Sequence, residues 1–159
     1  MSDEILNALG KRYRCLSLIG SYGTGKSSFL YALGKSILGE ADYFPHLTSS
    51  GAIVFKSVGQ YESLLNQLGS VLNSKPNLDS IFHALKEADF KGKRVYIFLD
   101  EFGKVIEYAL KNDPKKETYY FQQLAEFINN ELNHTVLIST LHQSFESYSH
   151  NVGSADIAE

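Results

Sequence analysis

A chain of 159 residues, 43% hydrophobic and 13% aromatic, has the size and apolar content of one globular domain with its own core, which excludes disorder as the default. Its 15 Lys and Arg against 18 Asp and Glu give a net charge of -3, so it lacks the positive field of a dedicated nucleic-acid binder, and a local basic patch is the one route left to DNA or RNA. Apolar runs such as 95–99 are far shorter than the roughly 20 residues of a bilayer span, the Met-Ser-Asp-Glu start is acidic and unlike a secretory leader, and the lone Cys15 can build neither an internal disulfide nor a thiol zinc site, so a reducing cytoplasm is the expected home.

Short apolar runs alternate with helix-compatible stretches, the pattern of a parallel sheet covered by helices. The first strand is expected over 14–19, closed by a glycine-rich turn. A helix over 26–38 follows, with Phe29, Leu30, Leu33 and Ile37 on one stripe and Gly39 as its stop. A loop over 40–50, with Pro45 and a Thr-Ser-Ser run, leads to a second strand over 52–58. Two helices, 60–72 and 78–88, are divided by Lys75-Pro76-Asn77 and form one long crossover. The third strand, Val95-Tyr-Ile-Phe-Leu99, is apolar at every position and so is expected to be buried on both faces. Helices are expected over 102–111 and, after Asn112-Asp-Pro114, over 115–132. In the latter Tyr120, Leu124, Phe127 and Ile128 face the core while Lys116, Glu117, Gln123 and Glu126 face out. The last strand spans 135–140, and the remaining tail turns polar.

The turn after the first strand, Gly20-Ser-Tyr-Gly-Thr-Gly25-Lys26-Ser27, fits the P-loop pattern of Gly, four residues, Gly, Lys and Ser/Thr. Phosphate oxygens carry dense negative charge, so such a loop must aim several backbone N–H groups inward, and glycine permits conformations that a side chain forbids. The helix that follows adds its free N–H groups and the positive end of its dipole. Gly20, Ser21, Tyr22, Gly23, Thr24, Gly25, Lys26, Ser27 and Ser28 are the expected nucleotide contacts. Lys26 would reach the β- and γ-phosphates, and the Ser27 hydroxyl would be a Mg²⁺ ligand.

Two adjacent carboxylates, Asp100 and Glu101, end the buried third strand at the edge where open α/β sheets bind ligands. Asp100 is the expected partner of the metal and Glu101 the group that polarises water. A helix start that favours negative charge would also account for the pair on its own.

With Walker A at Gly20 to Ser27 and a Walker B of four apolar residues followed by Asp100-Glu101, the chain resembles the additional-strand, catalytic-glutamate branch of P-loop NTPases, most closely AAA-type and STAND-like ATPases. The stretches Asp100-Glu-Phe-Gly-Lys104, Tyr119-Tyr-Phe-Gln-Gln-Leu-Ala-Glu126 and Leu137-Ile-Ser-Thr-Leu-His-Gln-Ser-Phe145 are similar to prokaryotic AAA-family ATPases, so the likeness covers most of 10–148. The resemblance implies a three-layer α/β/α core with a mainly parallel sheet of order 5-1-4-3-2, ATP with Mg²⁺, and often a ring or homo-oligomer with an arginine finger from a neighbour. It implies a polar sensor 1 residue at the end of the additional strand, here Thr140, with His142 and Gln143 as further candidates. The chain departs from the pattern in its arginines: they fall at 12, 14 and 94 alone, all before the sensor strand, and neither a strand nor a helical lid is evident after the tail. The expected organisation is thus an ATPase core over 1–150 and a polar tail over 151–159, cut from a longer chain with further domains. The activity implied is ATP hydrolysis that drives conformational change. A non-hydrolysing nucleotide switch is the alternative.

Other constellations are weak. The five histidines lack metal-ligand spacing, and no Gly-x-Ser-x-Gly elbow or guanine-reading Asn-Lys-x-Asp occurs. A small P-loop kinase would need an arginine-bearing lid. Lys11, Arg12 and Arg14 with Lys91, Lys93 and Arg94 would make a basic edge if their strands were neighbours. Cys15 reads as an inert core residue.

Overall fold

The computed structural model describes residues 14–47 and 51–155. The expectations for Lys11, Arg12 and the Thr-Ser-Ser run at 48–50 lie outside them. In chain order the elements are β1 (Cys15–Ile19), α1 (Lys26–Ile37), a 3-10 turn (Pro45–Leu47), β2 (Ile53–Val58), α2 (Leu64–Leu72), α3 (Leu78–Phe90), β3 (Val95–Asp100), α4 (Gly103–Asn112), α5 (Pro114–Asn130), β4 (Thr135–Leu141) and α6 (Phe145–Ala155). The four strands of the described residues pair in parallel in the order β1-β4-β3-β2, the order expected for these four.

Position in the sheet follows from strand chemistry. In β4 every residue is buried, and in β3 every residue up to Leu99, so these two take the centre, while β1 and β2 take the edges with exposed residues interspersed. Side chains of β3 alternate between two cores. Tyr96 and Phe98 pack with Leu30, Leu33 and Ile37 of α1 on one face, and Ile97 and Leu99 pack with leucines of α2, α3 and α5 on the other. The result is a three-layer α/β/α sandwich, in which full burial of a side chain such as Leu33 contributes about 1.5–3 kcal/mol.

Several expectations change. Helix α2 starts at Leu64 rather than near Gln60, because Ser63 caps it by accepting the Asn66 N–H at 3.3 Å. Glu117 does not face out: it is 6% exposed and accepts the backbone N–H of Leu64 at the start of α2. The polar tail holds a helix, α6, whose Tyr148 is buried against the α4 side of the core. Cys15 is exposed rather than core, although its surroundings are apolar enough that burial pushes the thiol up to about 11 and leaves it inert. The basic edge does not form among the described residues, because β4 separates β1 from β3 and the Arg14 guanidinium is spent on the Leu132 carbonyl.

Candidate phosphate-binding site at the carboxyl edge of the sheet

The loop between β1 and α1 is pinned at its start by the Gly20 N–H, which donates to the Leu141 carbonyl at 3.1 Å. Gly23 and Gly25 adopt φ of 76° and 84°, the left-handed region that side chains disfavour, and a β-carbon on either would meet no other atom within 4 Å. Backbone is therefore presented to open space. Helices α2, α3 and α5 are each capped by a side chain, from Ser63, Asn77 and Asp113, and α4 has no side-chain cap; α1 likewise begins, after Gly25, with none. Its first-turn N–H groups are left for an anion, and its dipole adds a partial positive charge. Lys26 folds back over the loop, donating to the carbonyls of Gly20 and Ser21 (the latter at 2.8 Å) and to Thr24 Oγ1 at 3.2 Å. These are all acceptors that a phosphate oxygen would replace.

Across the cleft, β3 delivers Asp100 and Glu101. The Thr140 hydroxyl of β4 donates to Asp100 Oδ1 at 2.5 Å, and the Glu101 N–H lies 3.0 Å from that same oxygen and 2.9 Å from Thr140 Oγ1. Both contacts fall on Oδ1, so Oδ2 has no protein donor among the described residues. Asp100 and Ser27 line one cavity of about 290 Å³, together with Tyr31, Lys56, Val58 and Phe98. The backbone at Glu101 has φ of 50°, an unfavourable conformation for a residue with a β-carbon, costing about 1–2 kcal/mol. Its carboxylate is 2.9 Å from Lys104 Nζ, and that bonded carboxylate pushes the Lys104 ammonium upward. On the β2 side, Gly59 donates to the Asp100 carbonyl at 2.7 Å, and a β-carbon there would overlap the Glu101 carbonyl. Sequence reasoning passed over Gly59, whose only signal was a glycine directly after a strand.

Of the three sensor candidates, Thr140 alone touches the acidic pair. His142 instead stacks on Tyr22 of the loop, and Gln143 is half-buried beyond it. Thr24 closes the loop on itself through the Ser21 carbonyl at 2.8 Å, and Ser28 lies exposed in the first turn of α1. Among the described residues no three His, Cys, Asp or Glu side chains gather into a metal cluster. A separate cavity of about 420 Å³ between α4, α5 and the sheet, lined by Cys15, Phe102, Ile106, Phe121 and Phe145 among others, carries no charged side chain and stands apart from the loop. None of the described helices is long and apolar enough to cross a membrane.

A parallel sheet of this order, with a glycine loop leading from its first strand into an uncapped helix, defines a P-loop α/β nucleotide-binding core. The chain belongs to the ATPase family associated with various cellular activities (AAA), whose model matches residues 16–153. Two solved structures share the fold. A Walker-type ATPase of Pyrococcus abyssi aligns over 94% of this chain with a TM-score of 0.56 and 15% identity. The ORC2 protein of Aeropyrum pernix, solved as ADPNP and ADP complexes, aligns over 96% with the same score and identity. This chain spans 45% and 43% of those chains, less than half of each. No curated protein matches it.

Proposed function

We propose that the domain binds ATP with Mg²⁺ and hydrolyses it, and that turnover drives rearrangement of further domains or of a partner copy. The observation that carries the reading is the Thr140–Asp100–Glu101 cluster, set at the strand ends beside Ser27 and the uncapped start of α1. The backbone N–H groups of 20–27 would hold the phosphates, and Lys26 would exchange its loop carbonyls for phosphate oxygens. Ser27 Oγ and Asp100, with its spare carboxylate oxygen, would hold the cation, Asp100 directly or through water. A bound Mg²⁺ supplies neutralisation of phosphate charge. Thr140 orients Asp100 and steadies the strained turn that presents Glu101, and Glu101 accepts the proton of a water once Lys104 releases its carboxylate.

A second reading, a switch that binds nucleotide without turnover, is favoured by one contact, the ion pair that occupies Glu101. Calorimetric titration with ADP and a phosphate-release assay with Mg-ATP separate the two. Wild type is expected to bind and release phosphate. Lys26→Ala should lose binding, whereas Glu101→Gln should bind normally with turnover reduced about 10²–10⁴-fold. Equal turnover in wild type and Glu101→Gln would remove the catalytic assignment, and binding without phosphate release in wild type would leave the switch.

A further inference from the structure

Two rings meet at the phosphate loop without a role in the chemistry above. Tyr22 is the third residue of the loop and is 79% exposed. An exposed tyrosine alone asks for no explanation. This ring, however, lies against the imidazole of His142, with centroids 3.6 Å apart and planes inclined by 23°. His142 belongs to a different element, the exit of β4, two residues beyond Thr140. It is held from behind: its backbone N–H donates to the buried Tyr148 hydroxyl of α6, and its Nδ1 is buried without a hydrogen-bond partner. Tyr148 in turn presses on the start of α4 so closely that Gly103 has no room for a side chain.

The rest of the loop has few anchors. A β-carbon at Gly23 or Gly25 would touch nothing, and three of the loop's hydrogen bonds come from the Lys26 ammonium. Those three are given up when Lys26 turns to phosphate. What then restrains 21–25 among the described residues is the Thr24–Ser21 bond, the Gly20–Leu141 bond, the Phe29 N–H on the Gly25 carbonyl at 2.8 Å and, for the stretch between these ends, the ring stack. Ordering one backbone residue costs about 1–2 kcal/mol, so a contact that keeps a glycine-rich loop shaped before the ligand arrives raises affinity by that route.

We infer that Tyr22 and His142 are positioning residues: their stack holds the loop in its phosphate-receiving shape and ties it to the β4 exit and α6. The inference rests on the phosphate-binding reading above, and it makes a restraint on the free protein that can be read without nucleotide.

The experiment uses Tyr22→Ala, Tyr22→Phe, His142→Ala, His142→Phe and the double alanine variant. Amide hydrogen exchange over 21–27 is followed in the nucleotide-free protein, affinity for Mg-ADP by calorimetry, and KM and kcat for Mg-ATP by phosphate release. Each alanine variant should exchange faster in the loop and bind about three- to tenfold more weakly, the range expected of one aromatic pair. KM should rise with kcat within about twofold, since the restraint acts on binding and not on the reacting atoms. The phenylalanine variants keep a ring and should return to near wild type. The double variant should be no worse than either single, because both remove the same contact. Wild-type exchange and affinity in Tyr22→Ala, or full additivity in the double variant, would overturn the inference. If wild type binds no nucleotide, the functional reading fails, and the exchange rates of the free protein still decide the stack.

Discussion

At the amino end of β4 the Thr135 hydroxyl donates to Asp89 at 2.9 Å, and toward its carboxyl end the Thr140 hydroxyl donates to Asp100 at 2.5 Å. The pairs are alike in type and differ in saturation. Asp89 is 6% exposed and uses both oxygens, Oδ2 for the Asn133 N–H at 2.9 Å and Oδ1 for the His134 N–H at 2.7 Å as well as for Thr135. It closes the turn into β4 and ties α3 to it. Asp100 keeps one oxygen without a donor, is half-buried, and stands beside a residue in a strained conformation. A carboxylate with both oxygens engaged is structural, whereas a spare oxygen next to backbone strain at a ligand edge is what a binding site looks like before its ligand arrives.

The largest test of this contrast is to neutralise each aspartate. Asp100→Asn should reduce Mg-ATP turnover by about 100-fold or more, because the cation would lose a charged partner, while stability in urea stays within about 1 kcal/mol. Asp89→Asn should do the reverse. Its oxygen can still serve His134 and Thr135, but its amide NH2 is set against the Asn133 N–H, which should cost about 1–3 kcal/mol of stability, with turnover per folded molecule unchanged. If both variants lost stability and activity alike, the two ends of β4 would share one job.

Next in size is the acid response. Burial works to raise the Asp89 carboxyl, but the hydrogen bonds from Asn133, His134 and Thr135 outweigh it and bring it below the ordinary aspartate value of 3.8. A lowered folded pKa means that the unfolded chain binds the proton first. The clamp's stabilisation is therefore complete above the ordinary aspartate range and lost as pH falls through the lowered folded value. Urea midpoints measured downward from pH 6 should fall more steeply in wild type than in Asp89→Asn. Parallel curves would show that Asp89 is not the group titrating.

These contrasts were unevenly legible. The phosphate loop and the acidic pair could be read because each depends on local pattern: glycine spacing, a fully apolar five-residue strand, carboxylates at its end; the strand order came from the family resemblance that those motifs carry. Thr140 was placed by the same resemblance, as the polar residue expected at the end of the additional strand, and the structure adds the atoms it touches. The Asp89 clamp, Gly59 and Tyr148 were not legible, since each depends on which elements become neighbours. Asp89 sits in a helix whose partner turn is 44 residues away, and nothing near it in sequence marks it as buried. The polar composition of 145–155 hid α6 for the same reason, because among its described side chains the attachment to the core is made by one buried tyrosine, Tyr148.

Glu117 makes the finest test, since the helix stripe of α5 placed it in solvent and the fold placed it inside. Burial is the largest influence on its carboxyl and pushes it up. The Leu64 N–H and Lys116 pull it back, and Asp113 adds to the rise. One oxygen, Oε2, has no partner. The dipole at the start of α2 favours the ionised form, yet the net direction is upward, so desolvation wins over the helix end. For an acid with a raised folded pKa the sign is opposite to that of Asp89: the folded state holds the proton more tightly, and stability declines as pH rises from 4.5 through the raised folded value. Glu117→Gln retains an acceptor for Leu64 and removes the buried charge. It should stabilise the protein at pH 7 by about 0.5–1 kcal/mol and remove that decline, read as urea midpoints between pH 4 and 7. Destabilisation would mean that the α2 dipole needs the ionised carboxylate, reversing which of the two effects wins at this site.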